Sequence, residues 1–168
     1  MSTLIILRGN SGSGKSSVAK ALQRRLGRGT FLIPQDTVRR EMLWVRDGKD
    51  TLACPLLTEL LKYGSKNCEY VILEGILNAD WYKQLFEAAI ALFEDRILAY
   101  YYDISFEETV KRHETRGKKL EFGEADMRRW WNEKDFIGII SEKIFNEDIS
   151  LENAVDIILA LCQVLGCD

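Results

Sequence analysis

Gly9-Asn10-Ser11-Gly12-Ser13-Gly14-Lys15-Ser16 is the stretch whose reading decides the fold. Glycine, four residues, glycine, lysine and serine follow one another there in the pattern of a phosphate-binding loop. The triphosphate of a nucleotide is a crowded anion, and backbone N–H groups converge on it only where side chains are absent, hence Gly9, Gly12 and Gly14. Lys15 brings a point positive charge to the β and γ phosphates, and Ser16 offers a hydroxyl to Mg²⁺. The helix that begins here turns its positive N-terminal dipole toward the same anion. The nucleotide-binding set is therefore Gly9, Asn10, Ser11, Gly12, Ser13, Gly14, Lys15, Ser16 and Ser17, with Ser16 as the metal ligand.

The flanks have the order this mechanism requires. Thr3 to Arg8 is a short apolar run suited to a strand buried on both faces of a parallel sheet. After the loop, Val18, Leu22 and Leu26 recur at helical spacing, and Gly27 and Gly29 are helix-stop signals.

At 168 residues the chain is expected to form one domain, and no second core is needed. Its longest apolar runs, such as Ala88 to Phe93, are too short to span a bilayer. The first residues carry no basic-then-apolar leader, so a cytoplasmic location is expected. Cys54, Cys68, Cys162 and Cys167 form no C-x-x-C pair, as suits a reducing compartment. A net charge of −3 supplies no global field for a polyanion, so any nucleic-acid contact has to be local. Oligomeric state leaves no signature in the sequence.

Four more strands are expected along the chain: Thr30 to Pro34, Glu69 to Leu73, Arg96 to Tyr102, and Ile144-Phe145. Helices are expected over Thr37 to Trp44, over Thr51 to Tyr63, from Asn78 to about Phe93, after the Ser105/Glu108 capping box, and from Ser150 onward. This alternation implies a three-layer α/β architecture: about five parallel strands with helices on both faces. Asp36 follows the second strand and Glu74 the third, at the carboxyl edge where open parallel sheets bind ligands. Two readings of each stand: Asp36 faces the crevice or caps a helix, and Glu74 serves Mg²⁺ or substrate or makes a structural salt bridge. Arg39, Arg40 and Arg46 contact an anionic or hydroxylated substrate or solvate a helix face. Trp81 reads as packing and His113 as helix surface. Arg112 and Arg116 stand four apart on one face of the densest basic stretch, Lys111 to Lys119. Residues 117 to 125, poor in apolar side chains, suit a flap.

The phosphate loop, the strand-end aspartate and the arginine-bearing flap, in that order, resemble the small P-loop kinases. The likeness is to the branch of zeta toxins, chloramphenicol phosphotransferase and the kinase domain of polynucleotide kinases. Lys111-Arg112 followed by Arg116-Gly117 is similar to the pattern that opens the flap of the polynucleotide branch. The resemblance implies a P-loop NTPase fold over residues 1–168, with an arginine-bearing lid at about 112–130. It implies that Asp36 acts as base toward a substrate hydroxyl, and that Arg116 and Arg112 contact the γ-phosphate. The catalytic set is then Lys15, Asp36, Arg116 and Arg112, and the substrate set Asp36, Arg39, Arg40 and Glu74.

The implied activity is ATP- and Mg²⁺-dependent transfer of a phosphoryl group to a hydroxyl of a small molecule such as a nucleoside, a sugar or an antibiotic-like compound. A 5′-hydroxyl polynucleotide kinase and a regulatory ATPase module are the alternatives. A guanine-specific Asn-Lys-x-Asp run is absent from the sequence.

Overall fold

The computed structural model describes residues 1–114 and 123–166. Five strands, β1 (Thr3–Gly9), β2 (Phe31–Pro34), β3 (Tyr70–Gly75), β4 (Ile97–Tyr102) and β5 (Glu142–Phe145), form one parallel sheet in the order β2-β3-β1-β4-β5. The apolar run Leu4 to Leu7 within β1 follows from the strand's central place, where every residue is buried. Pro34, which has no N–H for a ladder, closes β2 on one sheet edge, where proline is tolerated.

Alternation along the strands feeds two cores. Leu4, Ile6, Val71 and Leu73 point to the face covered by α3 (Ala53–Asn67) and α4 (Lys83–Phe93). Ile5, Leu7, Ile72 and Tyr100 point to the opposite face, covered by α1 (Lys15–Leu26) and α7 (Leu151–Gly166). The expected three layers are present. None of the described helices is long and apolar enough to cross a membrane.

Some elements depart from the sequence expectation. The helix expected over Thr37 to Trp44 is a short α2 (Gln35–Thr37) that runs into a π-helical turn, Val38–Met42. The chain leaves it through Trp44, whose φ is 52°. Asn78 caps a turn rather than a helix: its carbonyl side-chain oxygen accepts from the N–H groups of Asp80 and Trp81, and α4 proper starts only at Lys83. That shift takes Trp81 off the packed face and replaces it by Tyr82, which is fully buried. Ser105 caps α5 (Phe106–Glu114) through the Glu108 N–H, but the Glu108 carboxylate turns away to Arg112 instead of completing a box.

Candidate active site

The strand order sets the site. With β1, β3 and β2 adjacent and parallel, the phosphate loop after β1, Glu74 on β3 and Asp36 after β2 emerge side by side at one sheet edge; Pro34 pairs in register with Glu74, and Arg8 with Gly75. The loop glycines sit at φ values of 146°, 82° and 103° for Gly9, Gly12 and Gly14, a region that other residues rarely enter. A Cβ on Gly12 would lie 2.6 Å from the Thr109 carbonyl oxygen, so α5 rests directly on the loop. Lys15 is buried and folds back so that Nζ donates to the Asn10 carbonyl at 3.1 Å.

This chain's residues fit a nucleotide with Mg²⁺. The Ser13 hydroxyl is buried without a hydrogen-bond partner inside the loop, a donor of the kind a phosphate oxygen satisfies. The Ser16 hydroxyl, next to Lys15 in the chain, donates to the Glu74 carboxylate of β3 at 3.1 Å, which brings two hard oxygen donors together at the loop. Mg²⁺ takes such ligands and completes its shell with phosphate and water.

Asp36 lies within the electrostatic reach of Lys15. Arg39 Nη2 lies 3.0 Å from Asp36 Oδ1 and Arg40 Nε 3.8 Å from the same oxygen. Burial pushes this carboxyl upward, but Arg40, Arg39 and Lys15 together outweigh it and hold Asp36 below its ordinary value, so it is ionised at neutral pH. Behind it Gln35 Nε2 donates to Asp47 Oδ2 and to Tyr82 Oη, each at 2.8 Å, and Tyr82 Oη donates to Asp47 Oδ1 at 2.6 Å. Burial, with Asp47 adjacent, keeps the Tyr82 phenol protonated. A pocket of about 670 Å³ opens here; Asp36, Arg39, Arg40 and Arg46 line it together with Ser11, Asp47, Ile76, Trp81, Arg129, Trp130 and Asn132.

A family model described as an AAA domain (AAA_33) matches residues 4–134. The chain belongs to this AAA-domain family. The match begins in β1 and runs past the phosphate loop, Asp36, Glu74, Arg112 and Asn132. A gluconokinase from Sinorhizobium meliloti 1021 superposes with a TM-score of 0.69 at 20% identity, over 97% of this chain and 93% of that one. An APS kinase from Mycobacterium tuberculosis, in complex with AMPPNP and APS, gives 0.65 at 18% identity over 96% and 98%. A shikimate kinase from Acinetobacter baumannii, in complex with shikimate, gives 0.61 at 17% identity over 98% and 94%. The shared feature is the P-loop kinase fold. No curated protein matches the chain.

Within the AAA-domain chain, the expected site residues that are described fall into two groups around the loop. Asp36, Arg39 and Arg40 line the large pocket. Arg112 does not: its Nη1 donates to the Ser13 carbonyl at 3.1 Å, its Nη2 to the Glu147 carbonyl at 2.9 Å and its Nε to Glu108 at 2.8 Å, which seats it against the backbone of the phosphate loop. Arg116 lies outside the described residues, as does the core of the expected lid. His113 is buried, not surface, because α5 packs on the phosphate loop with the face that carries Thr109 and His113.

Trp81, Asn132 and Arg8 escaped the sequence reading as contributors to the site. Trp81 and Trp130 border the pocket, 39% and 36% exposed. Asn132 binds Asn10 across the loop, and Asn78 Nδ2 donates to its side-chain oxygen at 3.2 Å. Arg8, at the end of β1, is fully buried, and all five of its N–H positions are used: toward Leu77 O, Asp135 O, the Asp135 carboxylate and the Glu142 carboxylate. A charged residue just before the loop was a signal; in a strand with no exposed residue, it must be paired.

Proposed function

We propose that the protein is an ATP- and Mg²⁺-dependent kinase that phosphorylates a hydroxyl group of a small molecule, with residues 1–168 acting as one kinase unit. The observation that carries this reading is the placement of an ionised carboxylate, Asp36, at the same sheet edge as a complete phosphate loop, with a ligand-sized pocket in front of it. A nucleotide sensor needs the loop but not the second pocket.

In the proposed reaction the acceptor oxygen bonds to the γ-phosphorus while the bond from that phosphorus to the β,γ-bridging oxygen breaks. ADP leaves, and the hydroxyl proton passes to Asp36 and then to water. When bound, Mg²⁺ supplies charge neutralisation at the phosphate oxygens. Lys15 does the same from the protein side, and Ser16 and Glu74 would hold the metal. The arginine pairs make Asp36 a weak base at equilibrium, so its main task is to orient the hydroxyl and to take the proton late, as suits a loose transition state. Arg112 secures the loop at the Ser13 carbonyl. Arg116 is assigned to the γ-phosphate on the Lys111-Arg112 and Arg116-Gly117 pattern, which also supports the branch of zeta toxins, chloramphenicol phosphotransferase and polynucleotide kinases.

The test is transfer of labelled γ-phosphate from ATP to added acceptors, screened first by thermal shift with a nonhydrolysable ATP analogue. Wild-type protein is expected to label an acceptor, and Lys15→Ala to lose the label while its circular dichroism stays native. Labelled phosphate released only to water would reject the reading.

A further inference from the structure

The Asp36 pocket is cationic in a chain that is not. Arg39, Arg40, Arg46 and Arg129 line it against Asp36 and Asp47, with Arg129 paired to Asp126 outside the lining, whereas the whole protein carries a formal charge of −3. The two carboxylates do not spend this surplus. Asp47 is engaged through both oxygens by Gln35 and Tyr82 at the pocket floor, and Asp36 is shared between two arginines. Arg46 has no ion-pair partner among the described residues. Arg39 is held at its outer nitrogens by Asp36 and the Val45 carbonyl, yet its Nε is buried with no hydrogen-bond partner among the described residues. A buried guanidinium N–H left open costs stability unless a ligand acceptor meets it.

The same pocket carries aromatic area. Trp81 and Trp130 come from separate elements, the turn before α4 and the segment after α6 (Glu124–Arg129), and both stay more than a third exposed. Exposed tryptophans around a concave site supply broad faces for a planar group, and arginine beside them favours the same group. Arg129 lies with its guanidinium carbon 6.0 Å from the Trp130 ring centre.

We propose that this pocket takes an anionic hydroxyl compound built on a flat ring, with the chemistry of a nucleoside monophosphate. The ring lies against Trp81 and Trp130, the anion on Arg46 and Arg39, and the hydroxyl faces Asp36. This inference rests on the kinase reading for the hydroxyl's role, but the binding it describes does not need transfer. The enclosed volume, about 670 Å³, belongs to small-molecule sites, and the chain's overall charge does not draw a polymer.

Equilibrium binding to the whole protein, read by calorimetry with AMPPNP and Mg²⁺ present, separates the parts. The probes are nucleoside 3′- and 5′-monophosphates, the matching nucleosides, ribose 5-phosphate and a 5′-hydroxyl oligonucleotide. At least one monophosphate is expected to bind about 10-fold or more tightly than both its nucleoside and ribose 5-phosphate. Arg46→Ala should erase the advantage over the nucleoside and leave that over ribose 5-phosphate. Trp81→Ala should do the opposite; both side chains are exposed enough that the variants fold. The proposal is overturned if no monophosphate binds, if ribose 5-phosphate or the nucleoside binds equally well, or if the oligonucleotide binds more tightly than every mononucleotide. A monophosphate that binds with the expected profile but receives no phosphate upholds the pocket and rejects the kinase. Transfer to a ring-free anion upholds the kinase and rejects the pocket.

Discussion

Asn10 and Asn132 bind each other reciprocally: Asn10 Nδ2 donates to the Asn132 carbonyl at 2.7 Å, and the Asn132 N–H donates to Asn10 Oδ1 at 2.9 Å. Asn10 belongs to the phosphate loop, while Asn132 follows Trp130 and Trp131 and lines the Asp36 pocket. One side chain therefore joins the loop to the pocket wall across 122 positions of sequence.

Removal of that side chain should loosen both. Asn10→Ala deletes two hydrogen bonds at a nearly buried position, each worth about 0.5–1.5 kcal/mol net. An unfolding midpoint lower by roughly 2–12 °C is expected, at about 2–4 °C per kcal/mol for a chain of this size. Acceptor KM should rise in the same variant, because the Trp130 side of the pocket is no longer held. A shifted midpoint with unchanged acceptor KM would restrict the pair to stability.

Arg8 holds the same wall from below. It is fully buried and pairs with Asp135 at 2.8 Å and with Glu142 at 2.9 Å, the latter carboxylate only 2% exposed. Arg8→Met leaves that buried charge unmatched and should cost about 3–5 kcal/mol in denaturant unfolding. Arg8→Met combined with Glu142→Gln should recover part of the loss, since the stranded charge is then gone. Equal stability of the single and double variants would contradict this account.

The central strands were legible in the sequence because both of their faces are covered, so each reads as an apolar run with no polar alternation to confuse it. The phosphate loop, Asp36 and Glu74 were legible because each ends a strand, and strand ends at one sheet edge share a site. Arg8 was hidden by the same logic, since a charge at the end of an apolar run looks like the strand's exit to water. Its partners lie 127 and 134 positions away, beyond any local pattern. Trp81 is hidden because the apolar spacing of α4 continues back toward Asn78, where the chain makes a turn instead. His113 sits among charged neighbours and reads as surface; only the approach of Thr109 to Gly12 shows that this side of α5 is covered.

That approach gives a third test. At Gly12 a methyl group meets the Thr109 carbonyl at 2.6 Å on a backbone with φ of 82°. Gly12→Ala must therefore part the loop from α5 or strain the loop, at a cost of about 1–3 kcal/mol. ATP-analogue affinity is expected to fall about 10-fold or more, because a loop whose N–H groups are displaced no longer converges on the phosphates. Gly27→Ala is the control for backbone strain alone: its φ is 97° and a Cβ there meets nothing within 4 Å. It should lose stability but not nucleotide affinity.

The role of Asp36 is tested by charge and by pH together. Its carboxylate is 47% exposed and its partners are partly solvated, so Asp36→Asn should cost no more than about 0–1 kcal/mol of stability. Transfer should drop by about 10²- to 10⁴-fold while nucleotide affinity holds, if the group orients the acceptor and takes its proton. The arginines set where this activity fails in acid. Because Arg40, Arg39 and Lys15 hold the folded carboxyl below its ordinary value of 3.8, Asp36 stays ionised through neutral and mildly acidic pH. Its contribution to stability is likewise present above about pH 4 and is lost as pH falls through the lower folded value. The wild-type kcat/KM profile should thus be flat from pH 7 to about pH 5 as far as this group is concerned. In Arg40→Ala the first of the opposing charges is gone while burial still pushes the carboxyl upward. The acid limb should then move to higher pH, toward or past the ordinary carboxylate range. An Arg40→Ala profile that coincides with wild type would mean that Asp36 does not carry the titration, and wild-type transfer in Asp36→Asn would remove it from the reaction altogether.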